Sequence, residues 1–239
     1  RIQKALLPSQ RLLCETFPQH FILYKPKDIV SGDFYYLKKI NDFVVIAVAD
    51  CTGHGVPGAF VSLLGISFLN EIVVKKEVRT AADILEDLRQ QVKTSLKQTE
   101  KDTHSKDGMD IALCVIDTKT NLLQFAGAYN PLYIARNEEL IEIKGTKSPI
   151  GIHLKEKVFE NHSIQLQKND CVYLFSDGYQ DQFGGENGMK FMSKRFKQLL
   201  LELCTTSFDK QKETLENKFQ TWKKGRKQVD DITILGFKV

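Results

Sequence analysis

The stretch from Val44 to Ser62 constrains the fold more than any other part of the chain, because it joins an apolar run, an aspartate and a glycine-rich turn. The run 44–49, VVIAVA, is too short and too rich in β-branched residues for a helix, and it predicts a buried strand. Asp50 follows where that strand leaves the core. A buried carboxylate is costly unless a cation or a hydrogen-bond donor meets it, and 44–62 contains no Lys or Arg. A metal ion is therefore the expected partner of Asp50.

Residues 34–50 predict a β-hairpin that carries a carboxylate at each free end. Asn41 and Asp42 supply the turn. Asp33 precedes the first arm, and Asp50 ends the second. Because the two arms of a hairpin start and finish at the same end, we expect Asp33 and Asp50 to be neighbours.

Further aspartates stand at strand ends later in the chain. Asp177 follows the apolar strand 170–175, and Asp230 and Asp231 open the last strand, 232–237. Starts and ends of neighbouring antiparallel strands share an edge, so these carboxylates can converge at one rim. Oxygen ligands favour Mg²⁺ or Mn²⁺ over zinc, and two such ions can share a hydroxide that attacks a phosphoryl group. Any one of these aspartates alone is more simply explained as a turn residue, but that explanation weakens when several occur beside glycines.

The remaining pattern predicts an antiparallel α+β chain. Because the strands between 110 and 143 follow one another without helices, they favour a meander over a Rossmann fold. No linker divides the chain, so 1–239 is expected to be one domain, with 1–8 as the end of a helix from a preceding region. The polar run 98–106 is expected to be a solvated loop, and the helix from 57 is expected to be largely buried. The predicted helices are 2–7, 57–74, one from a Thr80–Asp83 capping box to Leu96, 187–203 and 207–222; the predicted strands are 20–25, 34–37, 44–49, 110–116, 122–126, 132–135, 140–143, 158–165, 170–175 and 232–237.

Composition limits the classes of function. The chain has 239 residues, a formal net charge of +4 and scattered Lys and Arg, so a nucleic-acid surface is not indicated. The five cysteines are widely spaced and form no CxxC pair, which argues against a zinc site and for a reducing, cytoplasmic compartment. We identify no apolar run close to the roughly 20 residues that span a bilayer, and we expect no membrane contact by this domain.

Four segments, in this order and spacing, resemble a known family: SGDFYY at 31–36, ADCTGHGVPGAF at 49–60, FSDGYQDQFGG at 175–185 and DDITIL at 230–235. They are similar to the SpoIIE-like, RsbU-type branch of the protein phosphatase 2C (PPM) family of metal-dependent serine/threonine phosphatases. The resemblance covers nearly the whole chain. It implies a four-layer αββα sandwich, in which two antiparallel sheets lie face to face with helices outside each.

The resemblance also implies a two-ion site at one end of the sandwich, with a metal-bridging hydroxide as the nucleophile. Asp50 would bridge both ions, assisted by the backbone carbonyl of Cys51. Asp33 would act from the hairpin partner, mostly through metal-bound water. The implied ligands of the second ion are Asp177 and Asp230, with Asp231 as the tandem alternative.

Other positions carry weaker expectations. His54 matches the glycine-histidine-glycine turn and would protonate the leaving serine oxygen, although a turn-stabilising histidine is at least as good an interpretation. Asp107 and Asp110 flank Gly108 where some relatives bind a third ion. Lys25 and Lys27 stand near the position of a phosphate-binding arginine in eukaryotic relatives, and either could assist as a point charge or remain solvated.

The segment 179–188 is polar and rich in glycine, and together with the helix from Pro57 it flanks the expected site. It suits a mobile flap over a protein substrate as well as it suits a plain surface loop.

The resulting hypothesis is a Mg²⁺- or Mn²⁺-dependent phosphoserine/phosphothreonine protein phosphatase. By resemblance, its substrate would be a phosphorylated anti-sigma-factor antagonist with a STAS fold, and the domain would be governed by a regulatory N-terminal region and by dimerisation. One alternative is a non-catalytic phosphoprotein-binding module with the same fold. Another is a carboxylate-metal enzyme acting on nucleotides, which should carry a phosphate-binding P-loop or a clustered basic pocket; neither is found in the sequence.

Overall fold

The computed structural model describes residues 2–75, 80–99 and 107–239. The predicted loop 98–106 lies largely outside these ranges. The helices are α1 Ile2–Leu6, α2 Gln10–Thr16, α3 Gly55–Lys75, α4 Ala81–Ser95, α5 Gly178–Asp181, α6 Met192–Leu203 and α7 Phe208–Lys223. The strands are β1 His20–Lys25, β2 Phe34–Ile40, β3 Phe43–Cys51, β4 Met109–Asp117, β5 Leu122–Ala128, β6 Leu132–Arg136, β7 Glu139–Ile143, β8 His162–Gln165, β9 Cys171–Phe175, β10 Phe183–Gly184, β11 Met189–Lys190 and β12 Ile232–Lys238.

The strands form two five-stranded antiparallel sheets and a small separate ribbon. The first sheet has the order β2-β3-β4-β5-β8, and the second has the order β1-β12-β9-β6-β7. Strands β10 and β11 pair only with each other. This arrangement confirms the predicted antiparallel α+β class.

Three hydrophobic clusters separate four layers. The central cluster lies between the sheets, and the outer two join α3 and α4 to the first sheet and α6 and α7 to the second. Strand β3 shows why the sequence demands this: Val44 and Ile46 face the other sheet, while Val45 and Ala47 face the helices. A strand buried on both faces reads as a continuous apolar run, and each buried Val or Ile contributes about 1.5–3 kcal/mol. The predicted αββα sandwich is confirmed.

Helix α2 was not predicted from the sequence. The side chain of Ser9 caps it by accepting a hydrogen bond from the backbone N–H of Leu12 at 3.2 Å. Leu13 and Phe17 enter the central cluster, and Phe17 stacks on Phe237 with ring centroids 4.1 Å apart. The helix is short and only one of its residues is fully buried, so it offered little periodicity to detect.

Helix α3 corrects two expectations. It is not largely buried along its whole length, since Val56, Phe60 and Val74 are each at least 60% exposed. Its segment 55–74 is also long and apolar enough to cross a membrane by length and composition, so the statement that no apolar run approaches this length was wrong. Half of that segment is buried inside the fold.

Two predicted boundaries were wrong for local reasons. The strand predicted at 158–165 begins only at His162, because Phe159 is held by a side chain: its N–H donates to Glu86 Oε1 at 2.9 Å. The helix predicted from 187 begins at Met192, because the Asn-Gly pair at 187–188 turns the β10–β11 ribbon, with Gly188 at a φ of 62°.

Other local predictions are confirmed. Thr80 and Asp83 form the reciprocal capping box that starts α4. All five cysteines are free, and Cys51, Cys114 and Cys171 are buried as small apolar side chains.

Candidate metal centre

The first sheet brings three aspartates to one edge. In the β2–β3 pair, Phe34 lies opposite Ala49, so Asp33 and Asp50 are at the same end of the hairpin. In the β3–β4 pair, Asp50 lies directly opposite Asp110. The prediction that Asp33 and Asp50 lie at the same end of the hairpin is confirmed. The register of β2 and β3 places them there.

The second sheet contributes two more carboxylates at its matching edge. Strand β9 ends at Phe175, which lies opposite Ile234 of β12. The N–H of Ser176 donates to the Thr233 carbonyl at 2.9 Å and continues this pairing towards Asp177. Asp230 lies just before β12 begins, at the same edge of the sheet as Asp177.

The two edges meet around one open cavity of about 260 Å³. Among the described residues that line it, none is Lys or Arg, so the protein itself supplies no permanent positive charge to the lining. The lining residues are Asp50, Cys51, Thr52, Gly53, His54, Asp110, Asp177 and Asp230.

Burial and mutual repulsion raise the pKa values of these carboxylates. Burial, together with the charges of Asp231 and Asp230, raises the pKa of Asp33 to about 8 in spite of the hydrogen bond from Ser176. Burial, followed by the charge of Asp177, raises the pKa of Asp110 to about 7. Burial, followed by the charge of Asp33, raises the pKa of Asp50 well above its ordinary value. A site that is costly to ionise without a cation is what a divalent ion would stabilise.

Asp33 provides a specific test of fit to a metal centre. Its Oδ2 accepts a hydrogen bond from Ser176 Oγ at 2.6 Å, but its buried Oδ1 has no hydrogen-bond partner among the described residues. An unpartnered buried carboxylate oxygen requires a donor or a cation. The donor set therefore fits Mg²⁺ or Mn²⁺, both of which prefer oxygen ligands.

The carboxylates of the cavity do not by themselves form a complete set of ligands for one ion. Within residues 2–75, 80–99 and 107–239, no group of three His, Cys, Asp or Glu side chains is close enough to hold a single ion. An ion bound here would complete its coordination with backbone carbonyls or water, as Mg²⁺ commonly does.

The neighbouring residues Asp230 and Asp231 occupy different environments. Asp230 lines the cavity. Asp231 is 2% exposed, and its two carboxylate oxygens accept hydrogen bonds from the backbone N–H groups of Lys27 and Gly32, each at 2.7 Å. Asp231 thus fixes the loop between β1 and β2, which carries Asp33 at its end.

His54 lies at the rim of the cavity, and Asp28 holds it there. The imidazole Nδ1 is 2.9 Å from Asp28 Oδ2, and both side chains are about half exposed. Gly53 and Gly55 adopt φ values of 81° and 66°, so the turn requires glycine on both sides of the histidine. The role of Asp28 could not be predicted from the sequence, because this contact joins residues 26 positions apart.

The remaining candidate residues differ in whether they lie near the cavity or away from it. The side chain of Cys51 is buried in the outer cluster of the first sheet, which leaves its backbone as the part that can serve the cavity. Lys27 acts electrostatically on Asp230, whereas Lys25 belongs to β1 and its carbonyl accepts a hydrogen bond from Gln228. Asp107 is not among the described residues that line the cavity, although Asp110 is.

The segment 179–188, interpreted from the sequence as a flap or a surface loop, is anchored to α7. The ribbon residues Gly184 and Gly185 pack against Trp222, and the N–H of Gly185 donates to the Trp222 carbonyl at 2.8 Å. The Trp222 indole N–H donates in turn to the Gln182 carbonyl at 2.9 Å. These contacts fix the base of the segment beside the cavity.

Comparisons with known proteins agree with the geometry. A family model described as stage II sporulation protein E (SpoIIE) matches residues 41–239. The phosphoserine phosphatase RsbU of Bacillus subtilis (strain 168) is 25% identical over 191 residues, which cover 76% of this chain and 52% of RsbU. The chain therefore spans about half the length of this relative.

Solved structures with the same fold include two bacterial phosphatase domains. The SiaA-PP2C domain of Pseudomonas aeruginosa is 35% identical with a TM-score of 0.90, and the match covers 100% of this chain and 93% of that one. The PP2C phosphatase domain of SpoIIE from Bacillus subtilis, solved with a fragment of its regulatory domain, is 19% identical with a TM-score of 0.74; the match covers 92% of this chain and 63% of that one, and shows the fold alone. The chain belongs to the SpoIIE family, the SpoIIE-like branch of the PP2C-type (PPM) metal-dependent protein phosphatases.

Proposed function

We propose that this domain hydrolyses phosphoserine or phosphothreonine on a protein, using divalent ions held in the carboxylate cavity. One observation carries the proposal: Asp50, Asp110, Asp177 and Asp230 line a single open cavity, and no Lys or Arg stands among its described lining residues. Because the chain belongs to a family of metal-dependent phosphatases, phosphate hydrolysis is the reaction that we expect at this cavity.

The proposed ligands follow from what each residue faces. Asp50 and the backbone carbonyl of Cys51 lie at the end of β3, and Asp177 and Asp230 lie at the facing edge of the second sheet. Bound Mg²⁺ or Mn²⁺ would activate water for attack on phosphorus and stabilise charge on the phosphoryl oxygens. Asp110 is the candidate for a third ion, in preference to Asp107.

Two carboxylates beside the cavity have supporting roles in this proposal. Asp33 is buried, and its Oδ1 has no hydrogen-bond partner among the described residues, so it is suited to orient a water molecule through Oδ1 while Ser176 fixes Oδ2. Asp231 holds the β1–β2 loop, and we propose Asp230 rather than Asp231 as the ligand.

Residues at the rim would handle the substrate. The carboxylate of Asp28 fixes the Nδ1 side of His54, which leaves Nε2 to donate a proton to the departing serine oxygen. Lys27 would contribute positive charge on the Asp230 side of the cavity, where a phosphate group would bind.

We also propose a regulated, cytoplasmic phosphatase whose substrate is a STAS-type anti-sigma-factor antagonist. Control by an N-terminal region has a direct physical contact in its support: Gln3 of α1 accepts from the N–H of Ser31 at 3.0 Å and donates to Ser62 of α3 at 2.9 Å. Ser31 stands two residues before Asp33, and its Oγ accepts from the Asp33 N–H at 3.1 Å. Movement or dimerisation of α1 would therefore act on the loop that carries Asp33.

Release of phosphate from a phosphoserine peptide, measured against Mn²⁺ concentration, tests the proposal. We expect Mn²⁺-dependent release by the domain and loss of that release in Asp50→Asn. A folded domain that releases no phosphate and binds no Mn²⁺ in a calorimetric titration would instead support the non-catalytic phosphoprotein-binding alternative, whereas Mn²⁺ binding without release would indicate a competent site held inactive in the absence of its regulatory region. Release from nucleoside triphosphates but not from the peptide would contradict the proposed substrate class.

A further inference from the structure

A second and larger concavity lies between α6 and α7, against the β10–β11 ribbon. We call it the α6–α7 groove; its volume is about 960 Å³, and its described lining shares no residue with the carboxylate cavity. Its apolar floor consists of Phe191, Met192, Leu199 and Trp222. Open apolar concavities of this size on a domain surface commonly mark binding sites.

The floor is preformed around Trp222. Phe191 packs edge-on against the indole with ring centroids 5.2 Å apart, and the indole N–H is fixed by the Gln182 carbonyl. The guanidinium of Arg195 lies 5.1 Å from the indole ring centroid. Met192, at the start of α6, is 51% exposed, and flexible thioether side chains adapt readily to a bound partner.

The rim of the groove carries an excess of positive charge. Lys194, Lys218 and Lys224 are exposed and make no ion pair with any residue in the described part of the chain, and Arg195 adds a fourth cation. Two carboxylates, Glu186 and Glu202, also line the groove. Four cations against two carboxylates leave a net positive rim around an apolar floor.

We propose that the α6–α7 groove docks an acidic, amphipathic segment of the phosphoprotein on which this domain acts. The apolar side of such a segment would cover Trp222 and Met192, and its carboxylates would pair with the unpaired lysines. The inference rests on the proposed function and adds a recognition site to it. The two carboxylates in the lining disfavour a nucleic acid, and the net charge of +4 disfavours a second copy of the chain.

The backbone connects this groove to the carboxylate cavity. Asp177 is followed by α5 and then by Gln182, whose carbonyl accepts from the indole of Trp222. The Gln182 side chain also accepts from the N–H of Val229 at 3.2 Å, and Val229 directly precedes Asp230. A segment bound in the groove would thus lie beside the elements that carry two proposed metal ligands.

Trp222 makes the proposal directly measurable, because it is the only tryptophan among the 239 residues. The probe is a short synthetic peptide with Glu and Leu at helical spacing, titrated into the domain while tryptophan emission is recorded. We expect a saturable change in emission, and we expect about tenfold weaker binding in Lys194→Glu/Lys218→Glu, the scale of losing roughly 1.4 kcal/mol. The matched control is Lys39→Glu/Lys168→Glu, which reverses two exposed lysines outside the groove lining and should bind the peptide about as tightly as the wild type.

Three outcomes would overturn the docking proposal. They are an absence of saturable change, equal weakening in the groove and control variants, and equally tight binding of a Lys/Leu peptide or of oligothymidine. The last outcome would indicate a general apolar site or a nucleic-acid site.

A second assay separates this proposal from the proposed function. Phosphoserine peptides with and without the Glu/Leu segment are compared as substrates. We expect the segment to lower KM about tenfold in the wild type, and this preference to disappear in Lys194→Glu/Lys218→Glu. Hydrolysis of both peptides with no preference would reject the groove alone, whereas hydrolysis of neither by a folded domain that also binds no Mn²⁺ would reject the proposed function.

Discussion

The two concavities of this domain carry opposite charge imbalances. The carboxylate cavity is lined by Asp50, Asp110, Asp177 and Asp230 without a described Lys or Arg, whereas the α6–α7 groove has an apolar floor and an excess of cations. The first has a donor set that suits divalent cations, and the second has a charge that suits an acidic partner. We infer that chemistry and recognition are divided between them.

The two sites also differ in how the chain builds them. Strand register determines the positions of the cavity carboxylates. Asp50 lies opposite Asp110, and the backbone hydrogen bond from Ser176 to Thr233 continues the strand pairing next to Asp177. The groove is set by side chains on two helices and a short ribbon, with Trp222 at its centre. A change in the cavity should therefore abolish activity, whereas a change in the groove should alter which substrates are preferred.

The most severe way to break the cavity is Asp50→Asn. We expect kcat/KM for a phosphoserine peptide to fall at least about 10²–10³-fold, the scale of losing one group that stabilises transition-state charge. Asp117→Asn is the matched control, because Asp117 lies at the far end of β4, opposite Phe43, outside the described cavity lining. Comparable losses in the two variants would contradict the assignment of the cavity as the active site.

Asp230 and Asp231 sharpen the contrast between ligand and structural carboxylate. We expect Asp230→Asn to weaken Mn²⁺ binding at least about tenfold. Little stability should be lost, because burial raises the pKa of Asp230 and so already disfavours its ionised form. Asp231→Asn should cost about 1–3 kcal/mol, since one backbone N–H loses its acceptor. In a chain of this size that equals a fall in Tm of about 2–4 °C per kcal/mol.

Calorimetric Mn²⁺ titrations and thermal melts of both variants check this contrast. Loss of metal binding with an unchanged Tm in Asp231→Asn, together with the reverse in Asp230→Asn, would contradict these assignments.

The pH dependence of stability should distinguish the metal-free cavity from the loaded one. Because burial raises the pKa of Asp33 to about 8 and that of Asp110 to about 7, the folded state holds more protons than the unfolded state between about pH 4 and 8. The free energy of unfolding without metal should therefore fall as pH rises through this window. Saturating Mn²⁺ should oppose the fall, since it favours the ionised carboxylates.

Thermal melts in EDTA and in Mn²⁺ between pH 5 and about 8 measure this difference. Asp33→Asn is the control variant and should flatten the slope in EDTA. A metal-free slope that is unchanged in this variant would show that other groups dominate the titration.

The smallest expected effect concerns the rim. Asp28→Asn keeps the side-chain shape but removes the charge facing His54, and a half-exposed pair of this kind contributes roughly 1 kcal/mol, or about fivefold in rate. The loss should be larger for phosphoserine than for an aryl phosphate, whose leaving group needs less protonation. Equal losses on the two substrates would indicate that Asp28 only maintains the turn.

The sequence predicted the cavity better than the rest of the surface for a physical reason. Each cavity aspartate stands at the end of an apolar strand, so strand prediction alone brings Asp50 and Asp177 to sheet edges. It could not separate Asp230 from Asp231, because that distinction depends on hydrogen bonds to backbone groups about 200 positions earlier in the chain. The contact of Asp28 with His54 was also missed, because it joins two side chains 26 positions apart in the chain.

The fold was predictable where periodicity was strong and uncertain where elements were short. The strands of both sheets and the long helices follow from apolar patterning, whereas α2 and the β10–β11 ribbon are too short to show a period. The Asn-Gly pair at 187–188 was a turn signal that could have located the ribbon. The groove depends on that ribbon meeting Trp222, which no local pattern encodes.

Calorimetric titration of Mn²⁺ into the domain, into Asp50→Asn and into Asp117→Asn tests the central claim most directly. We expect saturable binding to the wild type and to Asp117→Asn, with binding lost or strongly weakened in Asp50→Asn. A folded wild-type domain that binds no Mn²⁺ or Mg²⁺, or an Asp50→Asn variant that binds as the wild type does, would contradict the assignment of this cavity as a metal centre.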